Sequence, residues 1–193
     1  MKAVWSFHLP ENFIFETYNE APPLSYLEVK QTHSNKVAEI NERPCEADGL
    51  FIEKTKFQNL GIKTADCLPI LLFGKNEMAL IHAGWRGLKN QILLDDKVKK
   101  CAPTLAIIGP AIQQKNYPVD NDIYELFFKK NIFKKNGEKW LLHLGYLAQM
   151  QLQSINPQIL VIHSPLDTFE SPNLHSYRKN QTPLRNYNIV RRK

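Results

Sequence analysis

The stretch from Asn59 to Leu88 constrains the fold most, because its pattern predicts three strands close together. Apolar runs at Leu68 to Phe73 and Met78 to Ile81 are separated by turn residues at Ala65-Asp66 and at Gly74 to Asn76. Short apolar runs that are bounded by turn residues are typical of buried strands. We therefore predict strand, turn, strand, turn, strand and then the beginning of a helix.

Two residues with chemically useful side chains lie at the edges of these predicted strands, Cys67 and His82. A thiol and an imidazole in such places can be two metal ligands or a nucleophile and its base. Strand ends hold side chains firmly, while the adjoining loops are free to shape a pocket. The sequence therefore predicts a functional site at this end of the strands.

A third candidate, His33, lies in a predicted tight turn that contains Ser34-Asn35, a pair favoured in such turns. Of the six histidines, only His33 and His82 lie in turns rich in glycine or small residues at strand ends. Cys67 is 34 positions after His33 and 15 before His82. Because these spacings are too long for a local zinc finger, folding would have to assemble the site. Three protein ligands would leave a fourth position for water or substrate, as in catalytic zinc sites.

Each candidate also has a structural interpretation. Cys67, which precedes an apolar run, could be a small buried side chain, and the two histidines could be a satisfied strand-end residue and an exposed turn residue. Cys45 and Cys101 are predicted to be structural. An odd number of cysteines argues against a disulfide framework and for reduced thiols.

The remaining pattern mixes strands with helices that do not alternate strictly with them. This favours an α+β fold with mixed β-sheets flanked by helices in a layered sandwich, as a single domain over residues 1–193. No glycine-rich dinucleotide or ATP motif is present, so a metal is the expected cofactor. We predict strands at 26–33, 36–40, 104–109, 158–163 (buried) and 187–190, and helices at 88–101, 121–131 and 139–155.

The chain is basic, with a net charge of +6 and a pI near 9.2. Its lysines are dispersed and no basic stripe interleaved with aromatic residues occurs, so we predict no nucleic-acid partner. A small anionic substrate would also suit a basic protein. No apolar stretch approaches the roughly 18 residues of a membrane span, and no signal peptide is recognisable, which predicts a cytoplasmic protein without a membrane partner.

Five segments between about Gln31 and Val119, together with a sixth near Ser176, resemble the bacterial YfiH-like family, whose members were first labelled multicopper polyphenol oxidases or laccases and later described as purine nucleoside phosphorylases. The segments are QTHSNKV, ADGL, TADCLPILL, HAGWRGL, IGPAI and HSYRKNQT. In this family, the zinc-binding histidine of the Q-x-H turn corresponds to His33, the cysteine of TADC to Cys67 and the histidine of HAGWRG to His82. These three are thus both the expected metal ligands and the expected catalytic residues.

The sequence departs from the family pattern at three places. The N-terminal region, residues 1–30, is shortened and lacks a clear G-x-S-x-G-x-Y-like stretch. His163-Ser164 stands where relatives often carry Cys-Thr, and SYRKNQ replaces the usual SYRRDG. These departures put in doubt substrate contacts from those regions and leave the metal positions untouched.

The resemblance implies phosphorolysis of adenosine, inosine, guanosine and methylthioadenosine, with adenosine deamination as a second activity and zinc, rather than copper, as the cofactor. Deamination needs an activated water, and phosphorolysis needs a phosphate held by cations or backbone donors. Arg86 and Arg178 are the candidates for that anion, although each could equally be a surface residue or a structural ion-pair partner. Asp66 could orient a ligand or transfer a proton, or could simply cap a turn.

Three other functions stay open. A copper-dependent polyphenol oxidase would need more imidazoles for a multicopper cluster, and no His-x-His pair exists, although a single-copper side activity is harder to exclude. A metal-free cysteine hydrolase would use Cys67 as nucleophile with His82 or His33 as base, and could edit cell-wall precursors. In a binding module without enzymatic activity, the two histidines and the cysteine would have no purpose.

Overall fold

Three β-sheets organise the part of the chain that the computed structural model describes, residues 2–42 and 45–193. The strands, numbered β1 to β13 in chain order, are Trp5–His8, Phe13–Tyr18, Val37–Glu39, Gly49–Glu53, Leu60–Thr64, Leu68–Phe73, Glu77–Ala83, Leu105–Ile108, Pro118–Val119, Phe133–Asn136, Lys139–Leu142, Leu160–His163 and Asn186–Arg192. The α-helices, numbered α1 to α5, are Trp85–Lys89, Asp96–Cys101, Asn121–Glu125, Leu144–Ile155 and Tyr177–Asn180.

The central sheet has six strands in the order β12-β8-β6-β7-β4-β3 and mixes parallel with antiparallel pairs. All six residues of β6 are buried, because both faces of this strand are covered. Ile70 and Leu72 pack into one hydrophobic core, while Leu71 and Phe73 pack into a second core on the other face. Burial on both faces explains why this strand is continuously apolar instead of alternating with polar residues.

The two cores separate three layers. A four-stranded sheet in the order β1-β2-β13-β5 packs over one face of the central sheet. The helices and a three-stranded sheet, β10-β11-β9, supply side chains to the core on the other face. This arrangement confirms the predicted α+β fold with mixed sheets flanked by helices. That the chain forms a single domain stays a prediction.

The predicted strand from Tyr26 to His33 is wrong. In the described residues, this segment makes only isolated bridges, at Leu27 and Lys30. The Gln31 side chain takes the place of a strand backbone, because its amide donates to the carbonyl of Lys63 and accepts from its N–H, both at 2.8 Å. The segment then turns sharply at His33, whose φ is 59°. It therefore runs beside β5 without joining a sheet.

The predicted helix at 88–101 is divided into three pieces, which are the end of α1, a 3-10 helix at Ile92–Leu94 and α2. Helix α1 ends at Lys89, and Gln91 takes a left-handed conformation with φ 62°. Helix α2 then begins afresh at Asp96, with the side chain of Asp95 accepting from the N–H of Lys97. An aspartate that caps a helix is one of the preferred N-terminal residues, which explains why the chain restarts here.

Two other helix predictions need correction. The helix predicted at 121–131 ends at Glu125. The helix predicted at 139–155 is divided into β11 and α4, because residues 139–142 pair with β10 and His143 caps the helix. The strand predicted at 158–163 is present as β12, but it lies at the edge of the central sheet and is partly exposed.

The strands predicted at 68–73, 78–81, 36–40, 104–109 and 187–190 are confirmed with small shifts of their ends. Within residues 2–42 and 45–193, no helix has the length and apolar content needed to cross a membrane.

Candidate metal centre

The hairpin of β6 and β7 brings Cys67 and His82 to the same end of the central sheet. In its antiparallel register, Leu68 lies opposite Ala83 and Pro69 lies opposite His82. Cys67 directly precedes β6, so the next step of the register places it opposite Gly84. Cys67 and His82, which are 15 residues apart in the sequence, thus lie beside each other on neighbouring strands. The two apolar runs predict this contact if the strands that they form pair in antiparallel orientation.

Gly84 permits the close approach at this point. A Cβ atom built on Gly84 would lie 2.8 Å from the Cys67 sulfur and 3.5 Å from Cδ2 of His33. Real Cβ atoms essentially never approach another heavy atom within 3.0 Å. A side chain at position 84 would therefore displace the sulfur or the imidazole, which gives the glycine of the HAGWRG segment a steric role.

Asp48 positions the turn that carries His33. The backbone N–H groups of Thr32 and His33 donate to its carboxylate at 3.2 and 3.0 Å. The backbone N–H and the hydroxyl of Ser34 donate to the same carboxylate. The left-handed backbone of His33 turns these successive N–H groups toward one anion, which offsets the cost of a positive φ in a residue with a side chain.

The same carboxylate also holds His82. Asp48 Oδ1 lies 2.7 Å from Nδ1 of His82, and the backbone N–H of His82 donates to the Asp48 carbonyl at 2.7 Å. Occupation of Nδ1 leaves Nε2 as the ligand atom, which is the usual arrangement of a metal-binding histidine with a carboxylate behind it. Burial acts to raise the pKa of Asp48, but hydrogen bonds from His82 and Ser34 outweigh it and bring that pKa down to about 2.

Asp48 is not among the functional residues predicted from the sequence. The available signal was its position directly before the buried strand β4, which pairs with β7 so that Asp48 falls beside His82. A fully buried aspartate needs strong hydrogen-bond partners, and here these come from two of the three candidate residues.

Three candidate ligand atoms, one each from His33, Cys67 and His82, all lie within 4.8 Å of one another. The two imidazole rings meet edge to face with their centroids 4.9 Å apart. Two imidazole nitrogens and one thiolate form a donor set that suits Zn²⁺, and the separations leave room for an ion among them. The predicted three residues are therefore brought together by the fold.

Electrostatics favour the metal-binding form of the thiol. Burial acts to raise the pKa of Cys67, but the charge of His82 and a hydrogen bond from His33 bring it down to about 6. Burial acts in the opposite direction on the pKa of His82, where the charge of Cys67 and the hydrogen bond with Asp48 raise it to about 9. Both shifts favour a thiolate at Cys67 beside a charged imidazole at His82.

A pocket of about 900 Å³ opens over these three residues. Arg86 and Arg178, the two arginines singled out in the sequence, both line it. Arg86 is exposed and its guanidinium lies 4.8 Å from the Trp85 ring. Asp66 also lines the pocket, but its two oxygens accept hydrogen bonds from the Thr168 hydroxyl at 2.8 Å and from the Arg178 N–H at 2.7 Å. Contacts of these residues with a substrate stay predictions.

The other two cysteines match their predicted structural role. Cys101 is fully buried, and burial raises the pKa of its thiol to about 12, so it stays protonated. Cys45 is partly buried and packs against the second hydrophobic core. All three cysteines are free thiols.

Comparisons with known proteins find relatives of this chain. A family model described as multi-copper polyphenol oxidoreductase laccase matches residues 14–191. A purine nucleoside phosphorylase of Aquifex aeolicus is 32% identical over 162 residues, which cover 80% of this chain and 77% of that protein. The purine nucleoside phosphorylase RC0672 of Rickettsia conorii is 35% identical over 136 residues, 66% of this chain and 54% of that protein.

Two further comparisons concern chemistry and fold. The adenosine deaminase RL5, from an unknown prokaryotic organism, is 32% identical over 151 residues, 68% of this chain and 57% of that protein. The crystal structure of the Neisseria meningitidis protein NMB0706 superposes with a TM-score of 0.79 and 21% identity, over 100% of this chain and 98% of that one. The chain thus spans about three quarters of the Aquifex relative and little more than half of the other two named relatives.

Proposed function

The chain belongs to the multi-copper polyphenol oxidoreductase laccase family, also called the YfiH or DUF152 family, and on that premise we propose that it is a zinc-dependent purine nucleoside phosphorylase with adenosine deaminase side activity. The proposed substrates are adenosine, inosine, guanosine and methylthioadenosine, together with phosphate, and the proposed location is the cytoplasm. Support for the reaction class comes from relatives named for these two activities.

The observation that carries the proposal is the cluster of His33, Cys67 and His82 beneath an open pocket. When bound there, zinc would lower the pKa of water to about 7, which is the activation that deamination at the purine C6 requires. His82 is held by Asp48 for this role and Cys67 carries the negative charge that a cation favours. A buried, inaccessible cluster would not support catalysis.

Phosphorolysis makes a second demand on the pocket. A phosphate oxygen forms a bond to C1′ of the ribose while the bond from C1′ to N9 breaks, and the base leaves with the electron pair and takes up a proton. The transition state resembles an oxocarbenium ion, so an anion held beside C1′ stabilises it. Arg86 and Arg178 supply positive charge for that purpose in our proposal.

A copper centre is less favoured by the side chains around the cluster. Blue-copper sites combine two histidines and a cysteine with a weak axial ligand, commonly a methionine. Among the described residues that line the pocket, none is a methionine, and the side-chain oxygen of Gln31, another possible axial ligand, already accepts from the N–H of Lys63. A zinc site needs only the three ligands and an open position.

The test is incubation of the purified protein with adenosine, with and without phosphate, followed by chromatography of the products. We expect adenine and ribose 1-phosphate only when phosphate is present, and inosine in either case. Absence of both products would contradict the proposal. Oxidation of phenols only after copper is added, with no nucleoside turnover, would favour the oxidase instead.

A metal-free cysteine hydrolase is the second candidate, because the same residues form a chain of hydrogen-bonding groups typical of thiol catalysis. Asp48 orients His82, and His82 favours the thiolate of Cys67. The substrates would be acyl compounds such as cell-wall precursors. Full activity toward such a compound after exhaustive chelation, with loss of activity on alkylation of Cys67, would favour this candidate.

A further inference from the structure

The pocket is lined by arginines that form no ion pair with a described carboxylate, and one of them was not singled out in the sequence. Arg86, Arg178 and Arg185 all line the pocket, and none of them forms an ion pair with another described residue. The two lysines of the lining differ, because Lys30 and Lys63 are paired with glutamates at 2.6 and 2.8 Å. The available charge of the pocket therefore belongs to its guanidinium groups.

Arg185 is held in place by neutral partners. Its Nη1 donates to the backbone carbonyls of Thr182 and Leu184, at 2.9 and 2.8 Å. Carbonyl partners fix the direction of a guanidinium without cancelling its charge. The side chain is partly buried, so less of its field is lost to solvent than for a fully exposed arginine.

The segment that carries Arg185 is closed at its base. The Asn186 side chain donates to the carbonyl of His175 at 2.8 Å and accepts from the N–H of His175 at 2.9 Å. Asn186 is fully buried, so this pair of hydrogen bonds is protected from water. Residues 175–186 therefore form a clamped loop, which contains both Arg178 and Arg185.

Arg178 is also held in place by hydrogen bonds, through both its backbone and its side chain. Its backbone N–H donates to Asp66, the residue directly before Cys67, and its Nη1 donates to the carbonyl of Pro118 at 2.6 Å. The guanidinium lies 4.6 Å from the ring centre of Tyr117. Contacts from two separate segments, at Asp66 and at Tyr117-Pro118, thus hold a second charged group on the same loop, next to the candidate metal centre.

We propose that Arg178 and Arg185 together bind the phosphate that attacks C1′, with residues 175–186 as the phosphate-binding loop. This assignment rests on the proposed phosphorolytic function and makes it specific. Guanidinium forks match phosphate oxygens in pairs, and two held in advance lose little conformational freedom on binding. Arg86 also lines the pocket and adds positive charge to it, but it lies outside this loop.

The experiment compares Arg185→Gln with Lys179→Gln, which removes the same charge from an exposed residue of the same loop that does not line the pocket. Because phosphorolysis consumes phosphate and deamination does not, the ratio of the two rates is the informative quantity. We expect Arg185→Gln to raise the KM for phosphate and the deamination-to-phosphorolysis ratio by about ten-fold or more, the typical effect of losing a charge-assisted hydrogen bond. Lys179→Gln should leave both within about two-fold, as for an exposed charge.

Calorimetric titration of the holoprotein with inorganic phosphate provides a second measurement that does not depend on turnover. Weaker phosphate binding by Arg185→Gln, but not by Lys179→Gln, would support the assignment. Equal binding by all three proteins, or an equal loss of both activities, would overturn it. If Arg185→Gln fails to fold, Arg185→Lys is measured in its place and should also bind phosphate more weakly, because it lacks the planar fork.

The two proposals fail in different ways. If the wild type cleaves nucleosides only by phosphorolysis and Arg185→Gln leaves the KM for phosphate unchanged, the phosphate site is wrong and the proposed function stands. If the wild type releases no base but binds phosphate through Arg185, the proposed reaction is wrong and the anion site stands. Absence of phosphate binding in the wild type would overturn the anion site itself.

Discussion

Asp48 shows at the scale of single residues how one buried group can organise a site. Its carboxylate connects the His33 turn with the His82 ring, so two of the three candidate ligands depend on the same anion. Asparagine would place an amide NH₂ where the protein presents only donors. The geometry of the turn and the orientation of the imidazole would then both be lost.

We therefore expect Asp48→Asn to weaken zinc binding by about 10 to 100-fold, which is typical when the carboxylate behind a metal-binding histidine is removed. Competition with a chromophoric chelator measures this affinity directly. Asp96→Asn is the matched control, because the Asp96 side chain is 97% exposed and pairs with Lys99, which is not part of the cluster. Unchanged zinc affinity in a folded Asp48→Asn protein would contradict the positioning role.

The sequence identified His33, Cys67 and His82 but not Asp48, and the reason is physical. A turn aspartate that faces solvent and one that is buried beneath a loop have the same local pattern, since both precede a strand. Only the pairing of β4 with β7 and the left-handed conformation at His33 distinguish them. Both depend on contacts between residues distant in the sequence.

Among the secondary-structure elements, helix α4 is one whose beginning hydrophobic periodicity predicted wrongly. Leu141 and Leu142 continue the apolar face of the helix and so predicted an earlier start, but they belong to β11. His143 ends that strand and begins α4, because its Nδ1 accepts from the N–H of Tyr146 at 3.0 Å. A histidine is an uncommon N-terminal cap, which is why the sequence did not mark the boundary.

This cap predicts a pH dependence of stability. Burial lowers the pKa of His143, so the unfolded chain, with a pKa near 6.5, takes up protons more readily than the folded one. Stability should therefore fall as the pH falls below about 6.5. Protonation would also remove the acceptor and place a positive charge at the positive end of the helix.

His143→Asn keeps a capping side chain without a titrating group, so its stability should fall less between about pH 7 and pH 5 than that of the wild type. Urea unfolding at both pH values measures the difference. Some dependence should remain, because burial also lowers the pKa of His163. Equal losses in both proteins would show that His143 does not contribute.

At the scale of the whole molecule, the sequence predicted the fold class and the family more fully than the individual elements. The paired segments TADC and HAGWRG are specific enough to identify the family, which the match over residues 14–191 confirms. The buried strands followed from continuous apolar runs because both of their faces are covered. The ends of the strands and helices, the 3-10 turns and the helix caps could not be predicted from the sequence, because local backbone hydrogen bonds and side-chain contacts decide them.

The molecule as a whole also explains why the site lies where it does. The central sheet ends at Cys67 and His82, and the long connection between β2 and β3 returns to that end with His33. Residues 175–186 supply another part of the pocket lining, which contains the proposed phosphate site. The metal centre and the proposed anion site therefore come from different parts of one chain.

The metal content of the purified protein is the decisive measurement for the proposed zinc site. We predict about one zinc per chain by elemental analysis of the wild type and of Cys45→Ala, and loss of that zinc in Cys67→Ala with the far-UV circular dichroism spectrum retained. Cys45 is the matched control because it lies outside the cluster. A wild-type protein that cleaves nucleosides fully without bound metal, or a Cys67→Ala protein that keeps its zinc, would contradict the account.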